Sequence, residues 1–275
     1  MPQEIYIPLI LLGALGLLFG AGLAVAGKIF AVQVDERIEK IEELLPGANC
    51  GACGFPGCSG FADAVVAGKA SPALCAAVSS ADRLKIFEIL GQEAEEKAPE
   101  IAVIRCTGDI SPERHKFEYI GETDCAEAML LAEGPNPCRF GCLGMGSCAA
   151  ACPFGAIRIV EGKPPEIIEE KCVACGKCVE TCPKNLITIM PRDRDVLVLC
   201  MSHLKGKEVK DACKTGCIGC GLCAKKCPEQ AITMVDNLPV IDYEKCTSCG
   251  TCSEVCPQKT ILFTGKKPEP AASEA

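Results

Sequence analysis

Three segments of the chain carry cysteines at the same spacing. Each reads C-x2-C-x2-C-x3-C-P, and they span residues 172–183, 217–228 and 246–257. This spacing is typical of loops that bind [4Fe-4S] clusters, in which three thiolates bind one cluster and the fourth binds a neighbouring one. Disulfides between such close cysteines are geometrically unfavourable, and zinc sites usually present two separated cysteine pairs. We therefore predict iron–sulfur clusters at all three motifs.

The C-terminal part of the chain contains an internal repeat. The local texture CRFGCLGMGSCAAACP lies over CKTGCIGCGLCAKKCP 75 residues later, and the second motif of each copy recurs after 74 residues. In this alignment Cys138 corresponds to Cys213, and Met145 stands where the second copy has Cys220. Each copy therefore holds two four-cysteine motifs, of which the first in the first copy is irregular.

The irregular motif lacks one thiolate, because a thioether at Met145 is a poor ligand for an iron–sulfur cluster. Cys138 is the nearest candidate to supply it, since it lies only a few residues before Cys142. Cys125 and Cys106 are the alternatives that the sequence leaves open.

A further group of cysteines lies near the N-terminus, within NCGACGFPGC and the segment that follows it. Its spacing is C-x2-C-x4-C-x16-C, so three thiolates lie on one Gly- and Pro-containing loop and the fourth follows a predicted helix. Four thiolates fit one [4Fe-4S] cluster, with zinc as the alternative. The group consists of Cys50, Cys53, Cys58 and Cys75.

These spacings predict five clusters with twenty cysteine ligands and no catalytic residue. Cys106, Cys125, Cys200 and Cys213 are left over; a sixth cluster that uses them is one interpretation, and spare buried thiols are the other. The predicted ligand sets are Cys50, Cys53, Cys58 and Cys75; Cys138, Cys142, Cys148 and Cys182; Cys152, Cys172, Cys175 and Cys178; Cys217, Cys220, Cys223 and Cys256; and Cys227, Cys246, Cys249 and Cys252.

The N-terminus predicts a membrane anchor. Residues 5–27 carry no charge, and as a helix they would extend roughly 35 Å, enough to cross the hydrocarbon core of a bilayer. A cleaved signal peptide is the alternative, but it needs a basic start and a shorter apolar core. Because Lys28, Arg37 and Lys40 follow the run, we expect a single-pass protein of the cell membrane with its bulk in the cytoplasm. Reduced cytoplasmic cysteines favour metal binding over disulfides.

Composition excludes several functional classes. The chain has 24 cysteines among 275 residues, only 4% aromatic residues and a formal net charge of −8. The charge argues against a nucleic-acid partner, whose binding would depend on lysine and arginine. No G-x-G-x-x-G follows a predicted strand, and no P-loop or nucleophile pair is found, so nothing indicates that this chain binds nicotinamide, flavin or ATP.

The pattern of apolar and polar residues predicts an α+β protein built from small modules. Ile38, Ile41 and Leu44 recur at helical spacing, and further helices are expected near 61–67 and 81–90. Short β-like runs alternate with cysteine clusters from Ile101 onward. The predicted organisation is a transmembrane anchor (1–30), a mainly helical four-cysteine domain (31–90), a linker (91–102), two ferredoxin-like units (103–195 and 196–265) and a disordered tail (266–275).

An apolar anchor, the C-x2-C-x4-C-x16-C block and tandem ferredoxin motifs together resemble the RnfB family of the Rnf complex over roughly residues 5–264. That complex is a membrane-bound, ion-translocating ferredoxin:NAD⁺ oxidoreductase that transports Na⁺ or H⁺. The resemblance implies that the chain accepts electrons from soluble ferredoxin and relays them through [4Fe-4S] clusters to membrane subunits. The departure from the family pattern is Met145.

Two other functions remain open at this point: a membrane-anchored polyferredoxin subunit of another reductase, and a zinc-stabilised scaffold. For ferredoxin binding, the second ferredoxin-like unit offers a local excess of positive charge, with an ordinary solvated surface as the alternative. The lysines concerned are Lys205, Lys207, Lys210, Lys214, Lys225 and Lys226, set against Glu208, Asp211 and Glu229.

Overall fold

The computed structural model describes residues 3–29, 35–93 and 98–265. The tail predicted at 266–275 lies outside the described residues, as do residues 94–97 of the predicted linker.

The first helix, α1, spans Gln3–Ile29. Its segment Leu9–Ile29 is long and apolar enough to cross a membrane, and none of that window is buried against the rest of the protein. Large side chains such as Leu17 and Leu23 are about three-quarters exposed. A continuous apolar surface of this size is unfavourable in water, so the helix fits a membrane anchor.

Three helices form a small N-terminal domain. Asp35 caps the first of them by accepting a hydrogen bond from the Arg37 backbone N–H (2.9 Å), and Ser79 caps the third. Ile41, Phe61 and Ile86, one from each helix, are almost completely buried in a common core. The helices are α2 (Glu36–Leu44), α3 (Gly57–Val66) and α4 (Ser80–Leu90).

The rest of the described chain forms two ferredoxin-like units, each with two antiparallel strand pairs. In each unit one pair joins the first strand to the last, and the other is a hairpin between them. The first unit contains β1 (Glu100–Ile104), which pairs with β4 (Ile187–Pro191), and β2 (Ile157–Val160), which pairs with β3 (Lys163–Ile167). The second contains β5 (Val196–Val198), which pairs with β8 (Ile261–Phe263), and β6 (Ile232–Val235), which pairs with β7 (Leu238–Ile241).

Short helices carry the cysteine loops between these strands. A glycine in the left-handed region precedes one helix in each of the four ferredoxin motifs, with φ between 69° and 82°. A residue with a Cβ atom is strained at such φ values, which accounts for glycine here. The helices are α5 (Cys125–Leu130), α6 (Ser147–Ala150), α7 (Lys177–Thr181), α8 (Lys207–Ala212), α9 (Leu222–Lys226) and α10 (Thr251–Glu254).

The observed elements confirm the predicted mixture of helices and strands and the three N-terminal helices, whose ends shift by a few residues. The predicted linker 91–102 was placed too far along the chain, because β1 already begins at Glu100. That strand is defined by its pairing with β4, where Glu100 lies opposite Pro191. Local charge composition cannot reveal such a long-range partner.

Candidate iron–sulfur sites

Three of the predicted ligand sets each surround one cavity. The first cavity encloses about 330 Å³, the second about 360 Å³ and the third about 330 Å³. In each case all four predicted cysteines line the same cavity, three from one loop and one from the partner motif. We call these set 2 (Cys152, Cys172, Cys175 and Cys178), set 4 (Cys217, Cys220, Cys223 and Cys256) and set 5 (Cys227, Cys246, Cys249 and Cys252).

The last cysteine of every ferredoxin motif has the same backbone environment. Its sulfur accepts a hydrogen bond from the backbone N–H four residues further along the chain. Such N–H donors stabilise a thiolate and tune the reduction potential of a cluster bound to it. The pairs are Ala156 to Cys152 (3.4 Å), Leu186 to Cys182 (3.5 Å), Ala231 to Cys227 (3.4 Å) and Thr260 to Cys256 (3.4 Å).

The N-terminal domain holds set 1, which is Cys50, Cys53, Cys58 and Cys75. Its loop is fixed by Asn49, whose side-chain oxygen accepts a hydrogen bond from the Cys58 backbone N–H at 2.7 Å. Burial raises the pKa of the Cys75 thiol, and the nearby thiols of Cys53 and Cys50 raise it further. The fourth cysteine of the set therefore faces the loop that carries the other three.

At the irregular motif, the structure places Cys125 rather than Cys138 beside the remaining ligands. The Cys125 backbone N–H donates to the hydroxyl of Ser147 at 2.7 Å, and that hydroxyl donates to Asp124, the N-cap of α5, at 2.9 Å. Because Ser147 directly precedes Cys148, these bonds hold the start of α5 against the cysteine loop.

The electrostatic environment of the thiols supports the same grouping. Burial raises the pKa of Cys148 to about 11, and the thiols of Cys125 and Cys182 add to the rise. Burial also raises the pKa of Cys142 to about 12, with Cys125 and Cys148 among the contributing thiols. We call this group set 3: Cys125, Cys142, Cys148 and Cys182.

Cys138 lies elsewhere, so the structure does not support its predicted place in this set. Burial raises the pKa of Cys138, and the thiols that add to the rise are Cys213 and Cys200. The chain contained a signal for Cys125 that the spacing argument missed. The segment from Cys106 to Cys138 is longer than its counterpart from Cys200 to Cys213, and Cys125 lies in the extra length.

The donor set fits iron–sulfur clusters in its chemistry. All 24 cysteines lie within the described residues as free thiols, most of them partly buried. Within residues 3–29, 35–93 and 98–265, no group of three or more His, Cys, Asp or Glu side chains is placed to hold a single metal ion. Sets 2, 4 and 5 instead surround a cavity with four thiols each.

Tandem ferredoxin-like units, a helical four-cysteine domain and an apolar N-terminal helix define a polyferredoxin-type iron–sulfur protein that fits membrane attachment. Three family models match the same regions. They are described as a putative Fe-S cluster (residues 45–77) and as 4Fe-4S dicluster domains (residues 140–187 and 216–260).

Curated relatives extend this match over most of the chain. One is the RnfB-type subunit of the Na(+)-translocating ferredoxin:NAD(+) oxidoreductase complex of Acetobacterium woodii, 43% identical over 89% of this chain and 74% of that protein. Another is its counterpart in the proton-translocating complex of Clostridium ljungdahlii, 41% identical over 85% and 83%. The counterpart in the ion-translocating oxidoreductase complex of Methanosarcina acetivorans is 40% identical over 85% and 89%. The chain belongs to the RnfB family of these ion-translocating oxidoreductase complexes, which confirms the resemblance found in the sequence.

Proposed function

We propose that this chain is the electron-relay subunit of a membrane-bound, ion-translocating ferredoxin:NAD⁺ oxidoreductase complex. It accepts electrons from reduced soluble ferredoxin and passes them towards the membrane subunits of the complex. The coupling ion, Na⁺ or H⁺, is handled by those other subunits, because the single apolar helix of this chain has no charged residue between Leu9 and Gly27.

The observation that carries this proposal is the adjacency of thiol sets along the protein. Within the first unit, the Cys178 thiol of set 2 interacts electrostatically with Cys148 of set 3. At the other end of that unit, Cys175 of set 2 interacts with Cys50 of set 1, in the domain that follows the membrane anchor. Neighbouring redox centres in a line are what an electron relay requires, whereas a scaffold has no need of them.

We propose sets 1 to 5 as the ligands of five [4Fe-4S] clusters, with Cys125 in place of Cys138 in set 3. Each cluster, when bound, takes up and gives away one electron. The chain supplies four thiolates to each cluster and buries most of them. It also directs backbone N–H groups at the sulfur atoms, which lowers the cost of holding negative charge.

Ferredoxin docking is assigned to the second unit. Among the 24 cysteines, Cys220 alone is exposed, so set 4 comes closest to the surface. All six lysines of the basic patch are also exposed, and two of them lie on α9, directly after the loop that carries Cys220. A positive patch beside an exposed ligand suits an acidic electron-transfer protein. The patch consists of Lys205, Lys207, Lys210, Lys214, Lys225 and Lys226.

Reversing the charge of Lys225 and Lys226 to glutamate tests the docking face. We expect slower reduction of the clusters by ferredoxin, with the difference from wild type largest at low salt, because ions screen the attraction. Reversal of Lys69 and Lys85 in the N-terminal domain is the matched control. Equal rates for both double variants at low salt would exclude this face.

The position of the anchor supports an orientation with the iron–sulfur domains in the cytoplasm. Lys28 lies in the last turn of α1, and Arg37 and Lys40 follow on α2. Positively charged residues that flank a membrane helix are retained on the cytoplasmic side. Cysteine labelling in intact cells with a reagent that does not cross membranes tests this: Cys220 is expected to react only after lysis.

Anaerobic mixing of the purified full chain with reduced ferredoxin tests the proposed function. The visible absorbance of the chain should bleach as its clusters are reduced, and oxidised ferredoxin should appear in step. A chain that contains zinc and has no visible absorbance would contradict the proposal and support the scaffold alternative.

A further inference from the structure

Four cysteines remain outside sets 1 to 5, and the internal repeat relates them in pairs. Cys106 follows β1 in the first unit, and Cys200 follows β5, the corresponding first strand of the second unit. Cys138 and Cys213 occupy equivalent positions before the first ferredoxin motif of each copy. Each unit thus contributes the same two positions, which random spare thiols would not do.

The four thiols meet between the two units. They line one cavity of about 500 Å³, somewhat larger than the cavities of sets 2, 4 and 5. The sulfur atoms of Cys106 and Cys213 lie 3.6 and 3.5 Å from the position that a Cβ atom on Gly108 would occupy. The cavity is lined by ligand-type residues from four separate segments of the chain, as in the ferredoxin motifs.

Hydrogen bonds across the junction hold these segments in place. The hydroxyl groups of Thr107 and Thr215 are 3.2 Å apart, and the Thr215 hydroxyl also donates to the Thr107 carbonyl oxygen at 3.0 Å. The Arg105 Nε donates to the carbonyl oxygen of Val198 at 3.0 Å. Each of these residues lies within two positions of one of the four cysteines, so the bonds fix the loops that carry the thiols.

We propose that Cys106, Cys138, Cys200 and Cys213 bind a further [4Fe-4S] cluster that connects the two ferredoxin-like units. We call these four cysteines the junction set. The inference deepens the proposed relay function and rests on it. It also gives a role to every cysteine of the chain, since the six sets together use all 24.

The junction set lies between set 3 and set 4. On one side, the Cys200 sulfur accepts a hydrogen bond from the backbone N–H of Cys217, a member of set 4, at 3.4 Å. On the other side, the thiols of Cys106 and Cys142, a member of set 3, interact electrostatically. The sets therefore form one line in the order 5, 4, junction, 3, 2, 1.

The chemistry of this position is one-electron transfer. An electron that arrives from reduced ferredoxin at the second unit passes from set 4 through the junction to set 3. Each transfer oxidises the donor cluster by one electron and reduces the acceptor by one, and no bond is formed or broken. The half-buried guanidinium of Arg105 lines the junction cavity and offsets part of the negative charge of a thiolate-bound cluster.

Iron and acid-labile sulfide per chain provide the first measurement, on the full-length protein reconstituted anaerobically in detergent. We expect about 24 iron atoms for six clusters of four, whereas about 20 would overturn the proposal. Zinc present in addition to about 20 iron atoms would also overturn it, because the junction thiols would then hold a different metal.

Double variants test which cysteines share the site. Cys106→Ser and Cys213→Ser should each remove about four iron atoms, and the Cys106→Ser/Cys213→Ser double variant should remove the same four, because both residues hold one cluster. Cys106→Ser/Cys125→Ser should remove about eight, since Cys125 belongs to set 3. Met201→Leu, on the cavity wall without a ligand, is the matched control and should retain all the iron.

Independent, additive losses from Cys106→Ser and Cys213→Ser would overturn the junction set even if either variant folds poorly. The outcome is separable from that of the proposed function. A chain with about 20 iron atoms that ferredoxin still bleaches fully would refute the junction set and leave the relay function intact. A chain with about 24 iron atoms that ferredoxin does not reduce would refute the function alone.

Discussion

At the scale of single residues, the ligand of one cluster has been exchanged for another without a change in the surrounding backbone. Gly146 still adopts the left-handed conformation that the equivalent Gly221 adopts, and a short helix follows both. Met145 nevertheless stands where a regular motif has cysteine. The thiolate comes instead from Cys125, on an extra segment held in place by Ser147. An inserted loop has therefore replaced a residue in the motif.

This exchange should be reversible. Cys125→Ser is expected to remove one cluster, a loss of about four iron atoms per chain. Adding Met145→Cys to that variant should restore them, because the regular position again offers a thiolate. Met145→Ala in the same background is the control and should restore none. If the Cys125→Ser variant alone retained all its iron, the assignment of Cys125 to set 3 would be wrong.

At the scale of elements, local patterns predicted what local sequence determines. Helix α2 was predicted from Ile38, Ile41 and Leu44, and it forms because Ile41 is buried in the domain core. The regular cysteine motifs were predictable for the same reason, since three ligands lie on one loop. Their fourth ligands followed from the known exchange between paired motifs.

The features that the sequence did not predict depend on contacts between distant segments. The start of β1 is set by its pairing with β4, and the place of Cys138 is set by its approach to Cys200 and Cys213. Neither contact has a local signature. The repeat relation between Cys138 and Cys213 was visible, but only the folded chain shows that equivalent residues of the two units face each other.

The helical domain around set 1 should fail separately from the ferredoxin-like units. Phe61 on α3 is almost completely buried against α2, so Phe61→Ala should cost about 3–5 kcal/mol of that domain's stability. We expect loss of about four iron atoms on mild heating, while the other clusters remain. Leu84→Ala, at a position on α4 that is 58% exposed, is the matched control and should behave as wild type. Simultaneous loss of all clusters in the Phe61 variant would contradict this independence.

At the scale of the whole molecule, the line of thiol sets runs from the exposed, lysine-rich second unit to the domain that adjoins the membrane anchor. The link between the first unit and that domain is the approach of Cys50 to Cys175. Electrons that enter at the second unit must therefore cross the junction to reach the membrane. In this arrangement the junction cluster is the single connection between the two halves of the relay.

Two variants that each lack one cluster, but at different places in the line, test this connection. Cys106→Ser/Cys213→Ser should leave five clusters, of which ferredoxin rapidly reduces only the two of the second unit, because the other three lie beyond the gap. Cys50→Ser should also leave five clusters, and ferredoxin should rapidly reduce all of them, because the loss lies at the far end of the line. Stopped-flow absorbance under anaerobic conditions gives the rapidly reduced fraction. A small low-potential reductant that diffuses to every site should reduce both variants equally, which shows that the remaining clusters are intact. Equal rapid fractions with ferredoxin would mean that electrons enter the chain on both sides of the junction.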